Sequence, residues 1–238
     1  MSSPLEQIVD RLKTALGDHL VSVVLYGSAV TGDHQLGYSD LNVLCVLDQI
    51  TPRELSCVSA VVRWWRELGN PAPLLLTRQE FRTSSDCFAI EFHDIRHQHR
   101  ILYGENVVEE LQVDDSFYRA QVEHELRAKL LRLRHKAVGV LADRQLLGRL
   151  LADSLSTFCV LFRHALILHG DANDNSAPQT KRDVIAKAAQ RFQISAEPFQ
   201  RLFDLRDGKS AASDMDFQML LADYMVQIST VIEAVDRL

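Results

Sequence analysis

From Phe117 onward the sequence carries a single apolar period of three to four residues, whereas the part before Gly104 alternates helical and strand patterns. This change of period is the strongest constraint on the fold. In the second part Val122, Leu126, Leu130, Leu133 and Ala137 fall on one helical face, and no segment reads as a strand, which predicts a helical bundle. Polar stretches at Asp171–Ser176 and Gly208–Ser213 read as loops between its helices. In the first part Ser3-Pro4-Leu5-Glu6 is a capping box with proline at the first helical position. It predicts a helix presenting Ile8, Leu12, Ala15 and Leu16 and ending at Gly17. Leu20–Tyr26 and Leu41–Leu47 are short apolar runs of the length of strands buried on both faces. Thr51-Pro52-Arg53-Glu54 repeats the capping box and opens a helix towards Leu68, with Gly69-Asn70-Pro71 as its stop. Pro73–Thr77 predicts a third strand and Thr77–Glu80 a third capping box. Alternating apolar residues over Cys87–Ile95 predict a fourth strand. Two domains are expected, residues 1–113 and 114–238.

A net charge of −6 excludes a protein whose main affinity comes from neutralising a nucleic-acid backbone and favours a small-molecule or nucleotide substrate. Cys45, Cys57, Cys87 and Cys159 lack paired short spacings, so buried reduced thiols are expected rather than zinc ligands. The N-terminal residues show no basic region leading into an apolar stretch, which predicts a cytoplasmic location. Arg149, Asp153 and Arg163 interrupt the apolar stretch Leu146–His169, which therefore reads as a buried helix and not a membrane span.

The chemistry concentrates at Gly27-Ser28 and Asp40-Leu41-Asn42. A strand ending in Gly-Ser and turning into a helix aims backbone N–H groups, a hydroxyl and a partial positive charge at one spot, which suits phosphate oxygens. Gly27 would admit a phosphate to the backbone and Ser28 would donate its hydroxyl. Asp40 and Asn42, two apart on a strand, point the same way, while Leu41 and Val43 face the core.

With Asp40 following Gly27 by 13 residues, this pattern resembles the signature of the nucleotidyltransferase superfamily that includes DNA polymerase beta and the kanamycin and streptomycin nucleotidyltransferases. The signature is Gly-Ser, a gap, then acid-apolar-acid, and Asn42 replaces the second acid. The resemblance covers roughly the first hundred residues. It implies an α/β domain with a small mixed sheet followed by an all-α bundle, and Mg²⁺-dependent transfer of a nucleoside monophosphate from a nucleoside triphosphate, ATP foremost, to a hydroxyl. Asp40 would hold magnesium with Asn42 as a weak second ligand. Ala89-Ile90-Glu91-Phe92 looks like the apolar-Glu-apolar strand of the aminoglycoside enzymes, which makes Glu91 the candidate base or third ligand. Asp94 is the alternative, although a regular strand would turn it to the opposite side from Glu91. Asn42 keeps an oxygen but loses a charge, which leaves a second reading open: a non-catalytic nucleotide-binding, antitoxin-like or scaffold protein. A homodimer or a helical protein partner is compatible with the bundle.

Several other features have ordinary structural explanations beside a functional one. Arg96 and Arg100 follow the Glu91 segment and could contact phosphate, or line a solvated helix face. Arg119 with His124, and Arg163 with His169, match the loose Arg-to-His spacing of HEPN ribonucleases, a spacing that chance supplies in a chain with nine histidines. Trp64-Trp65 is expected to pack one ring against the sheet. In the antibiotic-modifying relatives the helical domain supplies acceptor contacts; Asp115 and Asp153 could reach an amino-sugar in the same way, though no pattern in the sequence singles them out.

Overall fold

The computed structural model describes residues 2–31, 41–109, 111–170, 180–209 and 215–238. The chain divides into two compact units, Met1–Phe117 and Tyr118–Leu238.

The first unit is built on a four-stranded sheet. Strands β1 (Leu20–Tyr26), β2 (Asn42–Leu47), β3 (Leu74–Thr77) and β4 (His99–Gly104) lie in the order β3-β2-β1-β4. β1 pairs antiparallel with β2 and β4, and β2 pairs parallel with β3, so the sheet is mixed. β1 and β2 are buried on both faces because each face carries helices. On one face α1 (Pro4–Leu16) and α2 (Pro52–Glu67) bring Ile8, Leu12, Val58, Val61 and Trp65 against Val23, Leu25, Val43 and Cys45. On the other, α3 (Arg78–Thr83) and α4 (Ala89–His97) bring Phe81, Phe92 and Ile95 against Val24, Leu44 and Val46. Burial of these apolar side chains, at about 1.5–3 kcal/mol each, is the main force closing the unit.

All three capping boxes form: Ser3 with Glu6, Thr51 with Glu54, and Thr77 with Glu80. Trp65 is fully buried, while Trp64 lies half-buried with the Arg11 guanidinium 4.1 Å from its ring.

The segment Cys87–Ile95 departs from the expected strand. It forms α4, with Ala89, Phe92 and Ile95 turned inward at intervals of three, and the fourth strand comes later, at His99–Gly104. Phe88, one of the alternating apolar residues, is 45% exposed. The thiols also depart from expectation: Cys45 and Cys159 are buried, but Cys57 and Cys87 are exposed on the outer sides of their segments. Burial pushes both Cys45 and Cys159 up to about 12, so these two are inert neutral thiols at physiological pH.

The second unit consists of α5 (Tyr118–Val140), α6 (Arg144–Leu168), α7 (Lys181–Phe192), α8 (Glu197–Arg206) and α9 (Phe217–Asp236). Val122, Leu126, Leu130, Leu133 and Ala137 form the buried face of α5, as their spacing requires. Among the described helices α6 alone is long and apolar enough to cross a bilayer, yet Leu151, Leu155, Phe158 and Phe162 are packed in the core of this unit. Phe162, Phe199 and Tyr224 form a chain of ring contacts between α6, α8 and α9.

Several carboxylates are held below their ordinary range: Glu54 by the Thr51 hydroxyl, Glu80 by the Thr77 backbone and hydroxyl, and Glu105 by Arg78. A carboxylate depressed in the folded state adds stability that is present above its unfolded value and is lost as pH falls through its folded value. The midpoint of urea unfolding is therefore expected to fall between about pH 5 and pH 3. The double variant Glu54→Gln/Glu80→Gln should be less stable at pH 7 and lose less on acidification.

Candidate functional site

Tyr26 closes β1 and pairs with Asn42 on β2 and with His99 on β4. Directly paired residues of antiparallel strands point to one face, so His99, Tyr26 and Asn42 form a row across the sheet end on the α3/α4 side. Asn42 is half-buried. The Asn70 side chain accepts a hydrogen bond from the Leu41 N–H at 3.3 Å and fixes the entry of the chain into β2.

After Tyr26 the chain turns out of the sheet at Gly27, whose φ of 80° lies in the left-handed region. The Gly27 N–H donates to the Gln98 carbonyl and its own carbonyl accepts from the Val30 N–H, both at 3.0 Å. A Cβ at this position would lie 3.4 Å from Asn42 Nδ2, an ordinary contact. Glycine is therefore required by the backbone conformation and not by lack of room. The helix expected to follow is, over the described residues, a 3₁₀ turn at Ser28–Thr31, and the Gly27 amide is spent on the Gln98 carbonyl between α4 and β4 rather than aimed outward. Asp40 and the Ser28 side chain lie outside the described residues.

Glu91 stands exposed in the first turn of α4, and half-buried Asp94 follows three residues later. The sequence placed these acids on opposite sides of a strand. On a helix, residues three apart share a face, so both carboxylates lie on one side of α4. Their common neighbour is Tyr26: burial first, then the charges of Glu91 and Asp94, push its phenol up to about 12. Both carboxylates therefore bear on the end of β1 where Gly27 begins. Sequence reasoning missed Tyr26 and His99, although Tyr26 directly precedes Gly27.

The remaining candidates fall elsewhere. Arg96 is exposed in the last turn of α4, where a cation complements the helix dipole. Arg100 pairs with Leu25, and alternation along β4 turns it to the face opposite His99. Asp115 belongs to the first unit, where its Oδ1 lies 2.6 Å from Nε2 of the buried His93 on α4. Asp153 is exposed on α6. Arg119 pairs with Glu123, and His169 Nδ1 lies 3.2 Å from Arg191.

Among the described residues no three histidine, cysteine, aspartate or glutamate side chains converge as a cation cage. Among the described residues, the oxygen-bearing side chains associated with this sheet end include the Glu91 and Asp94 carboxylates, through their charge on Tyr26, and the Asn42 amide paired with it. Such a set suits a hard cation that keeps waters and phosphate oxygens among its ligands, as magnesium does, and it is too sparse to be an all-protein cage.

No family model matches the sequence, and no curated protein matches it. Among solved structures, the spectinomycin adenyltransferase AAD(9) from Enterococcus faecialis, determined with ATP and spectinomycin, is similar to this chain. It superposes with a TM-score of 0.57 at 14% identity, over 94% of this chain and 98% of the other. The likeness lies in the fold, which this chain shares with that adenyltransferase along nearly its whole length.

Proposed function

We propose that the end of β1 and β2 binds a magnesium nucleoside triphosphate, with ATP as the donor, and that the chain transfers the nucleoside monophosphate to a hydroxyl group of a small molecule or protein. The observation that carries this reading is the pair Glu91 and Asp94 on one face of α4, both acting on Tyr26 beside the left-handed Gly27. Asp40 and the Asn42 oxygen would hold magnesium, which supplies charge neutralisation for the departing pyrophosphate. In the transfer, the acceptor oxygen forms a bond to the α-phosphorus and the bond from that phosphorus to pyrophosphate breaks. Glu91 or Asp94 takes the hydroxyl proton. The protonated Tyr26 phenol is a hydrogen-bond donor at the same strand end. Acids on α4 offset part of the charge missing at Asn42, and this favours retained catalysis. The neighbour's spectinomycin makes an amino-sugar-like alcohol a reasonable first acceptor to assay.

Asn42 supports a second reading, a protein that binds nucleotide without transferring it. Calorimetric titration with a nonhydrolysable ATP analogue tests the first. Binding should require magnesium and disappear in Asp40→Ala. Asn42→Asp should tighten magnesium by about tenfold or more, since a hydrogen-bonded charge contributes about 1.5–3 kcal/mol, and should raise turnover. Magnesium-dependent binding without turnover in either form supports the second reading. Absence of binding in both overturns the two together.

A further inference from the structure

Away from that sheet end, β3 forms an edge of the sheet with no further strand beside it among the described residues. Among the described residues β3 pairs with β2 alone, and, although Pro71 and Pro73 lead into it, Leu74-Leu75-Leu76-Thr77 themselves contain neither a charge nor a proline. Natural edge strands are commonly protected by such residues, because an unpaired row of N–H and C=O groups is a template for another strand. The opposite edge, β4, carries His99 and Arg100.

Beside β3 runs a groove of about 630 Å³ between that strand and α2. Its floor is apolar: Leu55, Val58 and Val62, at helical spacing on α2, with Leu75 of β3. Leu55 is 46% exposed although it belongs to this apolar row. Arg63 and Arg66 stand on the rim with Glu67, two cations to one anion. Arg78, Arg119, Arg127, Arg182 and Arg237 are each held by carboxylates, whereas Arg63 and Arg66 make no ion pair among the described residues. An apolar floor, a strand edge unpaired among the described residues and two guanidinium groups without an ion pair there define the occupant that fits. It is an extended segment with apolar residues on one face and acids on the other.

We propose that this groove binds an extended acidic-apolar segment of a partner protein, which adds to β3 as a fifth strand. Main-chain hydrogen bonds to β3 would supply affinity, the Leu55–Val62 floor would take alternate apolar side chains, and Arg63 and Arg66 would select acids.

Fluorescence anisotropy of the full chain with two synthetic eight-residue peptides tests this, one alternating valine with glutamate and one alternating valine with lysine. The glutamate peptide is expected to bind and the lysine peptide not. N-methylation of alternate amides on the strand-pairing side should abolish binding, since it removes the ladder donors. The exposed double variant Arg63→Glu/Arg66→Glu should weaken the glutamate peptide by about tenfold or more and admit the lysine peptide. Sedimentation with and without the double variant examines the rival occupant. Self-association that the double variant abolishes would assign the edge to a second copy and overturn the proposal. Failure of the glutamate peptide to bind, or binding insensitive to N-methylation and to charge reversal, would overturn it as well.

Discussion

Gly104→Ala is expected to lose at least about 4 kcal/mol of stability, the largest effect of any single methyl group in the first unit. Two costs combine. The φ of 79° at Gly104 penalises any side chain by about 1 kcal/mol or more. In addition, the new Cβ would fall 2.0 Å from the Val21 carbonyl oxygen and 3.2 Å from the Ser22 Cα, and both are backbone atoms of the central strand. Nothing flexible can yield, so β4 must leave β1. With it would go the bonds from the Ser22 hydroxyl to the Tyr103 and Glu105 carbonyls and from the Glu105 N–H to the Val21 carbonyl. Gly69→Ala separates the two costs. Its φ is 89°, but nothing lies within 4 Å of the new Cβ, so a loss of about 1 kcal/mol is expected. Urea denaturation of both variants measures the difference. Because the Gly27 N–H is held by the Gln98 carbonyl, just before β4, Gly104→Ala should also remove nucleotide binding, whereas Gly69→Ala should leave it unchanged.

The features legible in the sequence were those fixed by local chemistry. Each capping box joins residues three apart, so both of its partners can be read from the sequence alone. β1 and β2 were legible because strands buried on both faces read as unbroken apolar runs. The stretch around Glu91 was not legible. Phe88, Ile90 and Phe92 satisfy a period of two, while Ala89, Phe92 and Ile95 satisfy a helical one, and a run this short cannot separate them. Packing decided it: Phe92 and Ile95 both have places against β1 and β2. The true fourth strand was hidden because His99 and Arg100 begin an edge strand exposed enough to tolerate them. The same error separated Glu91 from Asp94. Tyr26 went unread for a different reason, since its importance comes from pairing with Asn42 and from the charge of a helix more than sixty residues away.

Glu91→Gln and Asp94→Asn are expected to have the largest effects on transfer, and Tyr26 provides a readout that is independent of turnover. A negative charge near the phenol disfavours the phenolate, so removing either carboxylate must lower the Tyr26 pKa from about 12. Burial is the larger cause and remains, so the value should stay above the ordinary 10 in each single variant and fall furthest in the double. Tyrosinate absorbance, taken as the difference from Tyr26→Phe, measures this, with circular dichroism confirming the fold across the range. Turnover should then distinguish the two acids. Loss of the general base costs about 10²–10⁴ in rate at any magnesium concentration. Loss of a metal ligand raises the magnesium needed and is partly recovered at high magnesium. The acid whose removal lowers the Tyr26 pKa and gives the magnesium-insensitive loss is the base, and the other compensates for Asn42. If neither variant moves the Tyr26 titration, the acids of α4 do not bear on the strand end, and the base must come from another element.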